Sequence, residues 1–259
     1  MKLGVSYNVF DGEELLEDSI KQIRSEVDYI SVVYQTKSNI GNECNKTLVN
    51  LLETLLSNKL IDHIEKYEPF GMSPHTNEIK KRNIGLELSK KNGCTHHMSM
   101  DTDEYYDIEQ FKFIKKIIDS YGFDSSFCQM KTYYKSWEFQ LDPPEEYYVS
   151  LIYKINPNSE YILGGPSPVL VDPTRRMSNL VNPVIFNRND IEMHHGSYIR
   201  DNIRLKLENS SAFVNFKENI DKLVNYFDNW KYPNKALWGG IPCVLHNIKK
   251  VENKFKNKI

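Results

Sequence analysis

The stretch Lys80–Tyr106, KKRNIGLELSKKNGCTHHMSMDTDEYY, decides the fold of this chain. Its first part belongs to a predicted helix, Thr76–Lys91, which ends at the stop signal Asn92-Gly93. Its second part is an apolar predicted strand, Cys94–Met100, which leads into Asp101-Thr102-Asp103. Because side chains alternate along a strand, the two carboxylates would point the same way. Such a pair, completed by water and substrate phosphates, is suited to Mg²⁺ or Mn²⁺.

Strand-like and helix-like segments alternate before this stretch. Predicted strands cover Lys2–Asn8, Tyr29–Tyr34 and Ile61–Glu68, and Thr47–Leu60 reads as a helix. Asp11 and Glu14 form a D-x-x-E capping box for another helix, whose apolar face comprises Leu15, Leu16, Ile20, Ile23 and Val27. This βαβαβαβ order predicts an α/β fold with a mostly parallel, doubly wound (Rossmann-like) central sheet flanked by helices.

Three polar residues stand where predicted parallel strands end: Asn8, Gln35 and Asp101. Parallel sheets bind ligands outside the carboxyl ends of their strands. We therefore expect these side chains to lie close together. This convergence favours a binding site over the alternative reading of Asp-x-Asp as a solvated turn or a helix cap.

The second half of the chain does not continue the regular alternation of strands and helices. Asp107 is expected to cap a helix with the apolar residues Phe111, Ile114 and Ile118. Longer strands are predicted at Phe127–Trp137 and Tyr147–Ile155, and a short one at Pro183–Asn187. The C-terminal region, including Glu218–Trp230, reads as helical, and no linker or repeat suggests a boundary. One domain spanning residues 1–259 is the simplest account.

Composition excludes several classes of protein. The chain has 33 basic and 35 acidic residues, so nucleic acid is disfavoured as a partner. Its four cysteines are widely spaced without a C-x-x-C pair, and no apolar run approaches the roughly 20 residues needed to span a bilayer. The N-terminus lacks a signal-peptide core. These features predict a reduced, soluble, cytoplasmic protein. The lysine-rich tail Lys249–Lys258 reads as a solvated frayed helix, with peripheral contact to an anionic membrane as the alternative.

The combination of Arg82-Asn83-x-Gly85, an apolar strand and Asp-x-Asp resembles the GT-A-fold nucleotide-sugar glycosyltransferases, particularly the family-2-like group. The opening strand KLGVSYN also fits, and the resemblance covers about the first half of the chain. It implies a nucleotide-sugar-binding half, residues 1–125, and an acceptor-side half with C-terminal helices, residues 126–259. It further implies a nucleoside diphosphate sugar as donor, with UDP expected, and a hydroxyl acceptor on a glycan or another molecule.

The resemblance also implies roles for individual residues. Asp101 would contact the ribose or the metal, and Asp103 would coordinate Mn²⁺ or Mg²⁺ at the diphosphate. Arg82 offers a fork for phosphate or carboxylate, although a surface helix arginine is the alternative. The other nucleotide-binding candidates, at the first two strand ends and in the Arg-Asn-x-Gly motif, are Tyr7, Asn8, Gln35 and Asn83.

Related enzymes place a late histidine on the metal or the diphosphate, followed by basic residues. His194-His195 fits, with Arg200 and Lys206 as phosphate partners. His195 is favoured as the metal ligand, but the sequence does not exclude His194 or a purely structural histidine. His96 and His97 lie inside the predicted strand and are expected to pack in the core.

An inverting transfer needs a carboxylate base near the acceptor hydroxyl. Asp172 has the best context, because it follows an apolar run and precedes Pro173-Thr174-Arg175-Arg176; a turn-forming Asp-Pro is the alternative. The other candidates are Glu145, Glu146, Asp190 and Glu192. A retaining mechanism would need no such base.

Three other functions compete with a glycosyltransferase. A nucleotidyltransferase would usually carry a Gly-rich basic loop after the first strand, which Val9-Phe10-Asp11-Gly12 is not. A non-catalytic nucleotide- or carbohydrate-binding module could use the aromatic run Tyr133-Tyr134-Lys135-Ser136-Trp137. A metallohydrolase would need a ligand spacing such as H-E-x-x-H, which the sequence lacks.

Overall fold

The computed structural model describes residues 1–69, 71–210, 213, 217–238 and 243–255. Within these residues, six α-helices accompany one twelve-stranded sheet. The helices are α1 (Glu13–Ile23), α2 (Leu48–Ser57), α3 (Pro74–Lys91), α4 (Ile108–Tyr121), α5 (Ile203–Asn209) and α6 (Ile220–Asn229). The strands are β1 (Leu3–Val9), β2 (Tyr29–Tyr34), β3 (His63–Lys66), β4 (His96–Asp101), β5 (Glu104–Tyr105), β6 (Ser125–Tyr134), β7 (Ser136–Asp142), β8 (Tyr148–Lys154), β9 (Pro183–Ile185), β10 (Glu192–Tyr198), β11 (Ala236–Trp238) and β12 (Val244–Lys250).

The first half forms a parallel block in the order β3-β2-β1-β4. All residues of the central strand β1 except Asn8 are buried, as expected for a parallel strand covered on both faces. On one face, Val5 and its alternate neighbours join the core with α1, α2 and α4. On the other face, Gly4 and Ser6 lie against α3. The predicted alternation of strands and helices is confirmed here.

Gly85 of the Arg-Asn-x-Gly motif lets α3 approach β1 closely. A Cβ at Gly85 would lie only 2.1 Å from Oγ of Ser6 and 2.4 Å from its Cβ. Arg82, one helical turn earlier, donates a hydrogen bond from NH1 to Oγ of Ser99 on β4 at 2.7 Å. The motif therefore packs α3 against β1 through Gly85 and joins α3 to β4 through Arg82.

We expect Gly85→Ala to lower the free energy of unfolding by up to about 2 kcal/mol, because the added methyl overpacks the contact between α3 and β1 at a cost of about 1–3 kcal/mol. The gain of about 1 kcal/mol that alanine brings to a helix interior offsets part of this cost. Urea unfolding measures the difference. Gly71→Ala is the matched control, because a Cβ there meets nothing within 4 Å. Equal stabilities for Gly85→Ala and the wild type would contradict the packing role.

The second half adds antiparallel strands to the parallel block, so the complete sheet is mixed. β8 is antiparallel to both β4 and β6, and β7, β12 and β11 continue the sheet in antiparallel pairs. Only β9 and β10 run parallel to β6 among the described strands of this half. The predicted single strand Phe127–Trp137 is in fact two strands, β6 and β7, joined at Lys135. That residue adopts φ 67°, which reverses the chain, and its ammonium lies 3.7 Å from the ring centroid of Phe227.

Two further predictions about local structure are wrong. Helix α1 begins after Gly12, which adopts φ 78°, and no side chain caps it, so the Asp11–Glu14 capping box does not form. The predicted tail helix is absent from the described residues: Val244–Lys250 is the strand β12, paired with β7 from Asn247 to Lys250. Pairing with a distant strand overrides the local helical preference here. Residues 256–258 of that prediction lie outside the described residues. None of the described helices is long and apolar enough to cross a bilayer.

Candidate active site

The carboxyl ends of β1, β2 and β4 open into a cleft of about 190 Å³. Asn8 pairs in register with Asp101, the last residue of β4, and Gln35 directly follows β2. All three line the cleft, together with Arg82, Asp103, Asp172, His195 and Lys206. Parallel pairing of the first strands thus brings together residues from distant parts of the chain.

Asp101 is held by two arginines. Its Oδ2 accepts a hydrogen bond from NH2 of Arg175 at 2.5 Å, and its Oδ1 lies 3.6 Å from NH2 of Arg82. Burial raises the pKa of Asp101, but the guanidinium groups of Arg175 and Arg82 outweigh it and lower the pKa to about 2. Because both oxygens face arginines, Asp101 anchors Arg82 and Arg175 in this structure, and its contact with the ribose or a metal stays a prediction.

Glu104 and Arg175 belong to the same network, and sequence analysis missed both. NH2 of Arg175 also donates to Oε1 of Glu104, whose side chain is buried. Burial raises the pKa of Glu104 to about 7, in spite of the arginine. Two features of the sequence could have indicated them: Glu104 directly follows the Asp-x-Asp motif, and Arg175 begins the arginine pair after Asp172-Pro173-Thr174.

Asp103 is a buried carboxylate that lines the cleft. Its Oδ2 accepts from NH2 of Arg200 at 2.6 Å and from Nζ of Lys206 at 3.3 Å. Its Oδ1 lies 3.9 Å from Nε2 of His195. Burial raises the pKa of Asp103, but Lys206, Arg200 and His195 together hold it well below its usual range. The carboxylate is therefore ionised, with one oxygen facing the imidazole.

The two adjacent histidines lie on opposite faces of β10. Nδ1 of His194 is hydrogen-bonded to the hydroxyl of Tyr133 at 2.8 Å, and the ring packs against Phe255. His195 lines the cleft instead. Burial lowers the pKa of His195, so its imidazole is neutral and can offer a lone pair. The structure thus separates a packing histidine from a candidate ligand.

Asp103 and His195 are the two cleft residues that could hold a divalent cation. The ionised Oδ1 of Asp103 and Nε2 of the neutral imidazole face each other at 3.9 Å. The described residues contain no group of three or more His, Cys, Asp or Glu side chains that could hold a metal by themselves. Mg²⁺ commonly takes one or two protein ligands and completes its shell with phosphate oxygens and water. The donor set therefore suits a cation shared with a diphosphate, not a protein-only cage.

Asp172 lies at the cleft as the N-cap of a short 3-10 helix, Pro173–Arg175. Its Oδ1 accepts from the backbone N–H of Thr174 at 2.7 Å and from the hydroxyl of Thr174 at 2.8 Å. Asp172 thus caps the turn and also lines the cleft. The other candidate bases do not line the cleft: Glu145 accepts from Thr132, Glu192 pairs with Lys131 and Arg188, Asp190 accepts from the N–H of Asn187, and Glu146 is exposed.

Two predicted nucleotide-binding residues lie elsewhere. Tyr7 is fully buried, and its hydroxyl is hydrogen-bonded to Ser19 at 3.0 Å, because β1 alternates and turns this ring toward α1. The amide of Asn83 donates to and accepts from the backbone of Tyr161, away from the cleft. His97 is buried and bonded to Oγ of Ser89, as expected for a packing residue.

No protein-family model and no curated protein matches this chain. Solved structures similar to it include S. aureus TarS 1-349 with UDP-GlcNAc, at 21% identity and TM-score 0.39 over 51% of this chain and 35% of that one. A second structure of TarS 1-349, with UDP, matches at 14% identity and TM-score 0.43 over 90% and 76%. GalNAc-T7 with UDP, GalNAc and Mn²⁺ matches at 10% identity and TM-score 0.48 over 87% and 50%.

This chain spans about a third of TarS in the first match and half of GalNAc-T7. Because these TM-scores lie below 0.5, the matches carry no argument about function, which has to be inferred from the chain's own residues.

Proposed function

We propose that this protein is a metal-dependent, inverting glycosyltransferase that moves a sugar from a UDP-sugar to an acceptor hydroxyl, on a glycan or a similar molecule. The observation that carries the proposal is the facing pair of ionised Asp103 and neutral His195 beside Lys206, at the carboxyl edge of a parallel sheet. This arrangement suits a metal-bound diphosphate, which is the leaving group of a nucleotide-sugar donor.

The nucleoside end of the donor would lie at Asn8 and Gln35. Nε2 of Gln35 donates to the backbone oxygen of Lys37 at 2.6 Å, which fixes the orientation of the amide. Oε1 of Gln35 is buried and has no hydrogen-bond partner in the part of the chain that the structure describes. A buried acceptor of this kind needs a donor from the ligand. The imide N–H of uracil supplies one.

The diphosphate end would lie between Asp103, His195 and the basic residues. A divalent cation held by Asp103 and His195 would supply Lewis-acid neutralisation of the charge that builds on the leaving diphosphate. Lys206 lines the cleft and Arg200 stands behind Asp103, so their positive charges support the same developing anion. Arg82, fixed by Ser99 and Asp101, would bind a phosphate oxygen or the ribose side of the donor.

Asp172 would act as the base. Its Oδ1 is occupied by Thr174, so Oδ2 is the oxygen that would take the proton of the acceptor hydroxyl. The acceptor oxygen then forms a bond to the anomeric carbon while the bond from that carbon to the diphosphate oxygen breaks. The proton remains on Asp172, and the configuration at the anomeric carbon inverts.

The test is calorimetry with UDP, with and without Mn²⁺, followed by a panel of UDP-sugars assayed for UDP release. We expect Mn²⁺ to strengthen UDP binding roughly tenfold, or about 1.4 kcal/mol, and chelation to reverse the gain. Release of UDP from one UDP-sugar is expected, by transfer or by slow hydrolysis. Binding of UDP without turnover of any donor would favour a non-catalytic binding module. Absence of UDP binding would contradict the proposal altogether.

A further inference from the structure

Lys81 is an unexpected member of the cleft. In the run Lys80-Lys81-Arg82 it reads as a solvated helix residue, and Lys80 is indeed exposed. Lys81, in contrast, is only 6% exposed and lines the cleft. Helix α3 thus turns this ammonium toward the same space as Asp101 and Asn8.

The other basic residues at the cleft have carboxylate partners. Arg82 and Arg175 pair with Asp101, and Arg200 and Lys206 pair with Asp103. For Lys81, no ion pair or hydrogen bond joins the ammonium to any other residue that the structure describes.

An unpaired lysine this deeply buried is rare, since desolvation of an ammonium is costly. Burial lowers the pKa of Lys81, while the more distant carboxylates of Glu78, Asp101 and Asp11 raise it and Arg82 lowers it further. Lys81 lines the same cleft as Glu78, Asp101 and Asp11. An anionic group of a bound ligand would supply the partner that Lys81 lacks among the described residues.

We propose that Lys81 binds a phosphate oxygen of the donor nucleotide. The proposal rests on the proposed function, since it takes the ligand of the cleft to be a nucleoside diphosphate. An ammonium is a compact point charge with three donors, and phosphate oxygens are among its common partners in proteins. Lys81 would then contribute to phosphate binding from α3, on the side of the cleft formed by the Arg-Asn-x-Gly helix.

The proposal predicts opposite effects on stability and on binding. Lys81→Met keeps the apolar stem and removes a desolvated charge, so the unliganded variant is expected to unfold at the same or a higher temperature than the wild type. The affinity for UDP with Mn²⁺ is expected to fall at least about tenfold. The affinity for uridine, which has no phosphate, is expected to stay unchanged. Lys81→Arg should recover most of the affinity for UDP, because it restores the charge.

Calorimetry with UDP, UMP and uridine, together with thermal unfolding, decides the matter. Lys80→Met is the matched control and should leave both affinity and stability unchanged. A UDP affinity within twofold of wild type in Lys81→Met would overturn the proposal. So would equal losses for UDP and uridine, or a lower unfolding temperature, because each assigns Lys81 a structural role or a role at the base. If the wild type itself does not bind UDP, the proposed function fails first, which is a separate outcome.

Discussion

Asp103→Ala is expected to lower kcat for the UDP-sugar by about 10³-fold or more, a loss typical of removing a key electrostatic group from an active site. The substitution removes the oxygen that faces His195, and with it one of the two protein ligands proposed for the cation. It also leaves Arg200 and Lys206 without the carboxylate that both contact. Turnover at saturating donor and Mn²⁺ measures the loss, and Mn²⁺ should no longer strengthen UDP binding.

Stability has to be measured alongside, because removing one partner of a buried ion pair costs about 3–5 kcal/mol. Asp103→Asn keeps the shape of the side chain and separates the loss of charge from the loss of packing. Asp107→Ala is a destabilised control: Asp107 caps α4 away from the cleft, so its loss costs about 1 kcal/mol without touching the site. If Asp103→Asn kept the turnover and the Mn²⁺ dependence of the wild type, Asp103 would not be a ligand of the cation.

Asp172→Asn is expected to lower kcat by about 10²–10⁴-fold, the usual contribution of a general base. The fold should be unaffected, since asparagine keeps the oxygen that accepts from the N–H of Thr174 and caps helices as well as aspartate does. The affinity for UDP should also be unchanged, because the base faces the acceptor. Single-turnover kinetics with saturating donor measure the chemical step directly.

Asp190→Asn is the matched control for this substitution. Asp190 accepts from the backbone N–H of Asn187 at 3.2 Å and does not line the cleft. Its turnover should equal that of the wild type. If Asp172→Asn also turns over normally, another group takes the proton or the mechanism is retaining.

Much of the fold of the first half could be predicted from the sequence. The strands β1, β2 and β4 are apolar runs between clear helix signals, and parallel pairing follows from their alternation with helices. The antiparallel second half was harder to predict from the sequence. The turn at Lys135 carries no glycine or Asn-Gly signal, and β12 is a lysine-rich segment whose strand conformation depends on pairing with β7.

The location of the candidate site could be predicted from the sequence, but the contacts between its residues could not. Residues at strand ends, Asn8, Gln35 and Asp101, meet in the cleft because topology alone brings such ends together. The partners of the carboxylates were not predictable. Arg175 lies 74 residues from Asp101, and Arg200 lies 97 residues from Asp103. No local pattern encodes such pairings.

The sequence by itself determined the parallel front half of the sheet, the carboxyl edge as the place of the site and the acidic motif that marks it, because hydrophobic periodicity and strand-helix alternation are local properties. Only the tertiary structure decided which side chains meet there. It turned His195 rather than His194 to the cleft, paired Asp101 with two arginines and left one oxygen of Asp103 facing the imidazole. It also buried Lys81 without a partner among the described residues. These choices depend on which face of an element meets which distant neighbour, and that is set by packing across the whole sheet.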